Sequence, residues 1–282
     1  MAKTTLIFGD SGTFKTTAIG HAARYFWETT GKRTRLISGE AGWVVVRDLI
    51  DAGLIEMFHI SDQPNIISLM RRLSAGYWPE KLSLDGHMLT PNLAAPRDLE
   101  KKIALYAFEG LSSVSDLGMS DLAAKQRKVG DQGVGEFTEH VMVVNEKGQT
   151  VNAEEKFSYN NLNHYQFMQK EMLGRVRTFG ALPVEHVILS AHEAKGEEEE
   201  TRRAIRGPAL AGKAATAKVM KDVGDCLHFE QYTVDGESKD KDGKTVRISR
   251  VKTRVFFRSH PDPLWAGTGI PVIYKCQPRV LS

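Results

Sequence analysis

The sequence predicts an α/β protein with a mostly parallel central sheet flanked by helices. Over residues 1–110, short and nearly continuous apolar segments alternate with segments of helical periodicity. Strands that are covered by helices on both faces carry this kind of uniformly apolar sequence. A glycine-rich turn also joins the first apolar segment directly to the first helical one. Near the C-terminus, two alternating segments around a polar turn predict an antiparallel hairpin.

The N-terminal elements follow from these patterns in order. Gly31 ends the first predicted helix and Gly76 the second, and helices commonly stop at glycine. Residues 77–100 contain three prolines and little periodicity, which predicts an irregular excursion. The predicted strands are residues 4–8, 34–40, 55–60 and 102–111, and the predicted helices are 15–30 and 65–76.

The second half is less regular. Residues 118–160 are polar and weakly periodic, which predicts a long loop with a hairpin around 145–150. A charged segment broken by Gly and Pro, residues 194–213, predicts another loop. The remaining elements are a helix at 162–180, a strand at 185–193, and hairpin strands at 226–234 and 246–257. Since no repeat or linker is evident, we expect one domain over 1–282 with insertions near 77–100 and 118–160.

Composition excludes several function classes. The net charge of +3 is too small to indicate a nucleic-acid-binding protein unless the charges cluster locally. Two cysteines, Cys226 and Cys276, exclude a disulfide framework and a four-cysteine metal site. The N-terminal sequence becomes polar too early for a signal peptide, and no apolar run approaches the roughly 18 residues of a membrane span. We therefore expect a cytoplasmic protein that does not contact membranes.

The segment LIFGDSGTFKTT, residues 6–17, matches the Walker A pattern of a strand, a glycine-rich turn and a helix that opens with Lys and Ser/Thr. In this pattern the backbone N–H groups of the turn surround phosphates, and the helix N-terminus adds its positive dipole end. Lys15 would contact the β- and γ-phosphates, and the Thr16 hydroxyl would bind Mg²⁺. The predicted nucleotide-binding residues are Gly9, Asp10, Ser11, Gly12, Thr13, Phe14, Lys15, Thr16 and Thr17.

Phe14 departs from the pattern, because glycine normally stands there and lets the turn approach phosphate without obstruction. A working site then requires the Phe14 ring to point away from the nucleotide. The alternative is a glycine-rich strand-to-helix turn that binds no ligand.

Two glutamates end predicted strands, and the carboxyl ends of parallel strands meet at one crevice. Glu109 follows the apolar segment 102–108 and is a candidate Mg²⁺ ligand together with Thr16. Glu40 ends the second strand and is a candidate general base for the attacking water. The alternative for each is a solvated acid at a strand end.

Further candidates lie later in the chain. His192, at the end of the strand HVILSAHE, could sense the γ-phosphate, although a histidine at this position is more often structural. Lys213, Lys275 and Arg279 are candidate cationic fingers for the phosphates of a neighbouring subunit. Ordinary solvated charge is at least as good an explanation for these three.

The order of GDSGTFKTT, ISGEAGW, YAFEGLSSVSDL, VILSAHE and RGPALAGKAATAKVMKDVGDCLHFE resembles phage-encoded RecA-like P-loop ATPases. These are minimal recombinase cores found beside single-strand-binding and annealing proteins. The resemblance spans most of residues 4–280 and implies a RecA-like core, ATP and Mg²⁺ as cofactors, and Glu40 as catalytic base. It also implies head-to-tail rings or filaments, and single-stranded DNA and a single-strand-binding protein as partners in the host cytoplasm. The chain departs from the family at Phe14 and Glu109.

The same resemblance places DNA-facing loops within residues 112–160 and at about 194–213. Cations at 125–128 and 201–206 suit phosphate, whereas the acidic run 197–200 would repel it. Tyr159, Tyr165 and Phe167 could stack on bases, but their helical spacing favours core packing for most of them. Three function classes remain open: an ATPase that acts on DNA, a nucleotide-dependent assembly or packaging factor, and a non-catalytic protein that retains the fold.

Overall fold

A computed structural model describes most of the chain. The described residues are 2–60, 63–129, 134–160, 164–197, 204–210, 213–239 and 245–256. No helix in these ranges is both long and apolar enough to cross a membrane.

The main sheet confirms the predicted fold class. Its strands run in the order β12-β11-β1-β9-β6-β2-β3, and every neighbouring pair is parallel except the terminal hairpin of β11 and β12. A short strand, β10, pairs antiparallel with β9. The strands are β1 (Lys3–Gly9), β2 (Arg33–Ser38), β3 (Ile55–His59), β6 (Ile103–Glu109), β9 (His186–Glu197), β10 (Ala204–Pro208), β11 (Asp225–Lys239) and β12 (Thr245–Phe256).

Helices cover both faces of this sheet. Successive residues of a strand point to opposite faces, so the apolar strands contribute side chains to a hydrophobic layer on each face. Ile7 and Leu36 pack with α1, the 3₁₀ helix and α2 on one face, whereas Leu6 and Ile37 pack with α3, α5, α6 and α7 on the other. The helices are α1 (Lys15–Thr30), a 3₁₀ helix (Ala41–Val46), α2 (Arg47–Asp51), α3 (Ile66–Ser74), α4 (Leu99–Lys102), α5 (Leu111–Val129), α6 (His164–Gly180) and α7 (Lys213–Asp222).

A second sheet of four strands, in the order β4-β5-β7-β8, lies within the two predicted insertions. Its strands are β4 (Trp78–Pro79), β5 (Asn92–Ala94), β7 (Val134–Val144) and β8 (Thr150–Asn160). The predicted hairpin around 145–150 is confirmed, and the Asn145 N–H donates to the Gln149 carbonyl across its turn. The prediction of a long loop over 118–160 is wrong, because α5 continues to Val129 and β7 and β8 are 11 residues each.

Buried charges explain why this segment looked irregular. Glu139 of β7 is only 1% exposed, and Lys125 of α5 forms an ion pair with it. Arg71 and Arg72 of α3 pair with Glu155 of β8 in the same way. Charged residues at inward positions break the apolar alternation that marks a strand, so the pattern predicted a loop.

Further segments also differ from the sequence-based expectation. The predicted loop 194–213 contains the end of β9 and all of β10, which pair with each other over residues 193–197 and 204–208. The 3₁₀ helix, α2 and α7 were not predicted. The single domain spanning 1–282 stays a prediction.

Candidate nucleotide-binding site

The turn between β1 and α1 is tightly packed against β11. A Cβ atom at Gly9 would lie 2.1 Å from the carbonyl oxygen of Phe229, so only glycine fits there. Gly12 has a φ of 76°, a backbone conformation that glycine adopts without strain. Thr13 is fully buried and its hydroxyl donates to the Asp10 carbonyl at 2.8 Å, which closes the turn on itself.

Phe14 takes the place of glycine in a left-handed conformation, with φ 65° and ψ 22°. This conformation also favours glycine, since most other residues reach it only at a cost. The Phe14 side chain is 56% exposed, so more than half of it lies in solvent instead of packing inside the turn. That the ring points away from a bound nucleotide stays a prediction.

Lys15, the first residue of α1, reaches back over the turn. Its Nζ donates to the carbonyl oxygens of Gly9 at 2.9 Å and Asp10 at 2.8 Å, and lies 3.3 Å from the Thr13 hydroxyl. Burial lowers the pKa of Lys15, although the charges of Glu40 and other nearby acids oppose that effect. A partly desolvated ammonium at the centre of a turn is suited to an anionic phosphate, which would restore its lost solvation energy.

Glu109, the last residue of β6, is a buried acid beside the first turn of α1. The Thr16 hydroxyl donates to its Oε1 and the Ser38 hydroxyl donates to its Oε2 at 2.9 Å. Burial raises the pKa of Glu109, and these two hydrogen bonds oppose the rise. A Cβ at Gly42 would lie 2.6 Å from Oε1, so a glycine there lets the 3₁₀ helix approach the carboxylate.

Thr16 and Glu109 fit the protein share of a Mg²⁺ site. No group of three or more His, Cys, Asp or Glu side chains suited to a metal ion occurs in the described part of the chain. Mg²⁺ does not require one, since it usually takes one or two protein oxygens and completes its octahedron with water and substrate phosphate. The contact of a hydroxyl with a buried carboxylate gives two hard oxygen donors of this kind. A cation there would also stabilise the charged form of Glu109.

Glu40 lies at the neighbouring strand end and is held from two sides. Its Oε1 is 2.8 Å from His192 Nε2, and the Ser113 hydroxyl donates to the same oxygen at 2.6 Å. The hydrogen bond from His192 lowers the pKa of Glu40 and raises that of His192. Both side chains are partly exposed, at 26% and 34%, so water can reach them. Glu40 is therefore ionised at neutral pH, and the pair is open to the cleft.

Sheet register explains why these groups meet. Gly9 of β1 is paired with His192 of β9, and Ser38 of β2 is paired with Glu109 of β6. The carboxyl ends of four adjacent parallel strands therefore form one crevice of about 280 Å³. The residues that line it are Ser11, Gly12, Thr13, Phe14, Lys15, Thr16, Thr17, Glu40, Gly42, Val45, Glu109, Ser190, Ala191 and His192.

Sequence reasoning missed the hydroxyl groups that hold the acids, Ser38 and Ser113, although serines flank both glutamates in the sequence. It also missed Gln231 of β11, whose Nε2 donates to the Gly12 carbonyl at 2.6 Å, and no local signal marks it. Of the finger candidates, Lys213 begins α7, but its side chain lies outside the described part of the structure. Lys275 and Arg279 lie outside the described residues altogether.

Comparison with known proteins gives distant similarity only. No protein-family model and no curated protein matches the sequence. Among solved structures, the crystal structure of the RadB recombinase is 12% identical, with 88% of this chain and 80% of that chain covered and a TM-score of 0.39. A KaiC-like protein from the hyperthermophilic archaeon Pyrococcus horikoshii is 10% identical, with 89% and 78% covered and a TM-score of 0.36. Similarity at this level carries no conclusion about function, which depends on the geometry of the crevice.

Proposed function

We propose that the protein binds ATP with Mg²⁺ and hydrolyses it. The observation that carries the proposal is the meeting of Lys15, the Thr16–Glu109 contact and the Glu40–His192 pair in one crevice. A phosphate-binding turn, a site for the metal and a candidate base are the parts that phosphoryl transfer to water requires. Adenine as the base comes from the resemblance to RecA-like ATPases.

Each group has a distinct task in this scheme. The turn and Lys15 hold the phosphates and stabilise their charge. Mg²⁺, when bound, would neutralise charge that develops on the phosphate oxygens during transfer. Glu40 accepts a hydrogen bond from the attacking water and takes its proton. Ser113 and His192 orient the Glu40 carboxylate, because both contact its Oε1.

Burial separates the two acids into these tasks. Glu109 is 3% exposed, and its two carboxylate oxygens already accept hydrogen bonds from Thr16 and Ser38, which suits a metal ligand better than a base. The Glu40 side chain is 26% exposed and ionised, which suits contact with a water. We therefore assign Glu109 to the metal and Glu40 to the water.

We further propose that the ATPase acts on single-stranded DNA in phage recombination or replication, as a self-assembling head-to-tail oligomer beside a single-strand-binding protein. The support is the resemblance of the motifs. Two DNA-contact candidates serve the core instead: Lys125 pairs with Asp121 and Glu139, and Phe167 packs against Phe137 and other core aromatics. Tyr165 remains a candidate, since it is 64% exposed.

The test compares Lys15, the first residue of α1, with Lys32, which lies just after the end of that helix. Lys15→Ala should abolish binding of a fluorescent ATP analogue, whereas Lys32→Ala should leave it unchanged, because Lys32 pairs with Glu185 and does not line the crevice. Glu109→Gln should weaken binding in the presence of Mg²⁺ more than in EDTA. Unchanged affinity in Lys15→Ala would contradict the nucleotide site.

ATP turnover with and without single-stranded DNA then separates the three function classes. Stimulated turnover supports action on DNA, and unstimulated turnover supports an assembly or packaging factor. Binding without turnover indicates a protein that retains the fold for structure.

A further inference from the structure

The β11–β12 hairpin extends well beyond the main sheet. β1 pairs with β11 only over residues 225–229, whereas β11 and β12 remain paired as far as Lys239 and Thr245. Residues 230–239 and 245–254 therefore form a two-stranded ribbon. Ten residue pairs at about 3.3 Å each give it a length of roughly 33 Å.

One face of the ribbon is turned toward the phosphate-binding turn. Gln231 donates from its side chain to the Gly12 carbonyl, which places this face against the turn. Asp235 lies on the same side of β11 as Gln231, and Ser249 is its direct partner on β12. The Ser249 hydroxyl donates to the Asp235 carboxylate on this face. We call it the loop face. Because alternate residues of a strand lie on opposite sides, the remaining positions form the outer face.

Charge is distributed unequally between the two faces. The loop-face positions carry two basic residues, Lys239 and Arg247, and two acidic residues, Asp235 and Glu237. The outer-face positions carry three cations and one acid. They are Glu230 opposite Arg254, Tyr232 opposite Lys252, Val234 opposite Arg250, Gly236 opposite Ile248, and Ser238 opposite Val246.

The outer face also presents an aromatic side chain among these cations. Tyr232 is 37% exposed and its neighbour on this face, Val234, is 36% exposed. Their cross-strand partners are the basic residues Lys252 and Arg250, and β12 contains no acidic residue. A row of cations at every second position, beside an exposed aromatic, is the combination that binds the backbone and bases of a single strand.

We propose that the outer face of the ribbon binds single-stranded nucleic acid. The basic residues of β12 contact successive phosphates, and Tyr232 stacks on a base. Two features favour this partner over duplex or a lipid surface. Stacking on Tyr232 requires an unpaired base, and a lipid surface would need a larger apolar face than the two exposed side chains provide.

The ribbon also connects this surface to the nucleotide site. Tyr232 and Gln231 are consecutive residues, so a shift of the strand that accompanies binding on the outer face also moves the contact with Gly12. This part of the inference depends on the proposed ATPase, whereas nucleic-acid binding by the ribbon does not. We expect the nucleic acid to change ATP turnover through Gln231.

Binding is measured by fluorescence anisotropy of a labelled oligothymidylate of about 16 nucleotides, within the usual span of such sites. No nucleotide is added, so the result is independent of the ATPase. Tyr232→Ala should weaken binding by about five- to 150-fold, the worth of one base stack. Arg250→Ala should also weaken binding. It should reduce the slope of log affinity against log salt concentration by about 0.7, the value for one phosphate contact on a single strand.

Arg247→Ala is the matched control, because it removes the same charge from the same strand at a loop-face position. It should leave affinity nearly unchanged. Equal losses in Arg247→Ala and Arg250→Ala, or wild-type affinity in Tyr232→Ala, would overturn the assignment of the outer face. So would equal affinity for duplex, or binding to vesicles of anionic lipid that competes with the oligonucleotide.

The coupling is tested separately. Gln231→Ala should keep oligothymidylate affinity but lose the effect of the oligonucleotide on ATP turnover, and retained stimulation would overturn the coupling. A wild-type protein that binds no oligonucleotide would contradict both the ribbon and the DNA part of the proposed function. Wild-type binding that no outer-face variant affects would contradict the ribbon alone.

Discussion

Phe14→Gly is the substitution that most directly tests how this site accommodates its departure from the phosphate-loop pattern. Phe14 has a φ of 65°, and an L-residue in this region loses about 1–2 kcal/mol, which glycine does not. Full burial of a phenylalanine side chain stabilises a protein by about 1.5–3 kcal/mol. Because Phe14 is 56% exposed, its removal should lose less than half of that stabilisation, about 1 kcal/mol. Glycine also costs about 0.4–1 kcal/mol through the entropy of the unfolded chain.

These contributions nearly cancel, so we expect the unfolding free energy of Phe14→Gly to lie within about 1 kcal/mol of wild type. Phe14→Ala is the control, because it removes the ring but keeps the left-handed strain. It should be about 1 kcal/mol less stable than Phe14→Gly. Urea unfolding followed by tryptophan fluorescence measures both differences.

Nucleotide affinity provides the second measurement. If the ring points away from the phosphates, Phe14→Gly should bind a fluorescent ATP analogue within about tenfold of wild type, or 1.4 kcal/mol. A larger loss would show that the ring contributes to binding and refute the assumed orientation. Equal stability of the glycine and alanine variants would refute the assignment of strain to this position.

The remaining predictions concern catalysis and assembly. Glu40→Gln should retain ATP but slow turnover by about 10² to 10⁴, and a wild-type rate would exclude Glu40 as the base. The hydrogen bond to Glu40 raises the pKa of His192. The ion pair therefore stabilises the folded protein fully at a pH below 6.5, the ordinary pKa of histidine, and this stabilisation is lost as the pH rises through the raised pKa. An NMR titration should show this pKa falling in Glu40→Gln, and an unchanged value would contradict the pairing. Mass photometry with an ATP analogue should detect oligomers, and Lys275→Ala should lower turnover more than affinity; an active monomer indifferent to Lys275 would exclude the trans contact.

The sequence predicts the strand ends well because the determinants there are local. Lys15 and Thr16 follow a recognisable turn, and both Glu40 and Glu109 follow apolar strands whose carboxyl ends must converge in a parallel sheet. Because these strand ends lie side by side, both acids line one crevice together with the phosphate-binding turn. The sequence therefore predicts the fold class and the grouping of these residues at one edge of the sheet.

Long-range partners were not accessible in the same way. Gln231 lies 219 residues from Gly12 in the chain, and nothing in its neighbourhood marks it as a contact of the phosphate turn. The second sheet was hidden for a related reason, since Glu139 is an inward-facing acid whose partner, Lys125, lies on a separate element. A buried charge is compatible with a strand only when its partner is known, and sequence periodicity does not supply the partner.

The two acids of the crevice occupy similar strand ends but have opposite pKa shifts. Both are glutamates at strand ends, yet burial raises the pKa of Glu109 whereas the hydrogen bond from His192 lowers that of Glu40. Opposite shifts in neighbouring carboxyls are the usual means by which one site separates two roles. A carboxylate that is costly to ionise gains most from a metal cation, and one that is already ionised is ready to orient water. These environments support the proposed roles, Glu109 at the metal and Glu40 as the base, and exchanging those roles would require the β6 strand end to open to solvent.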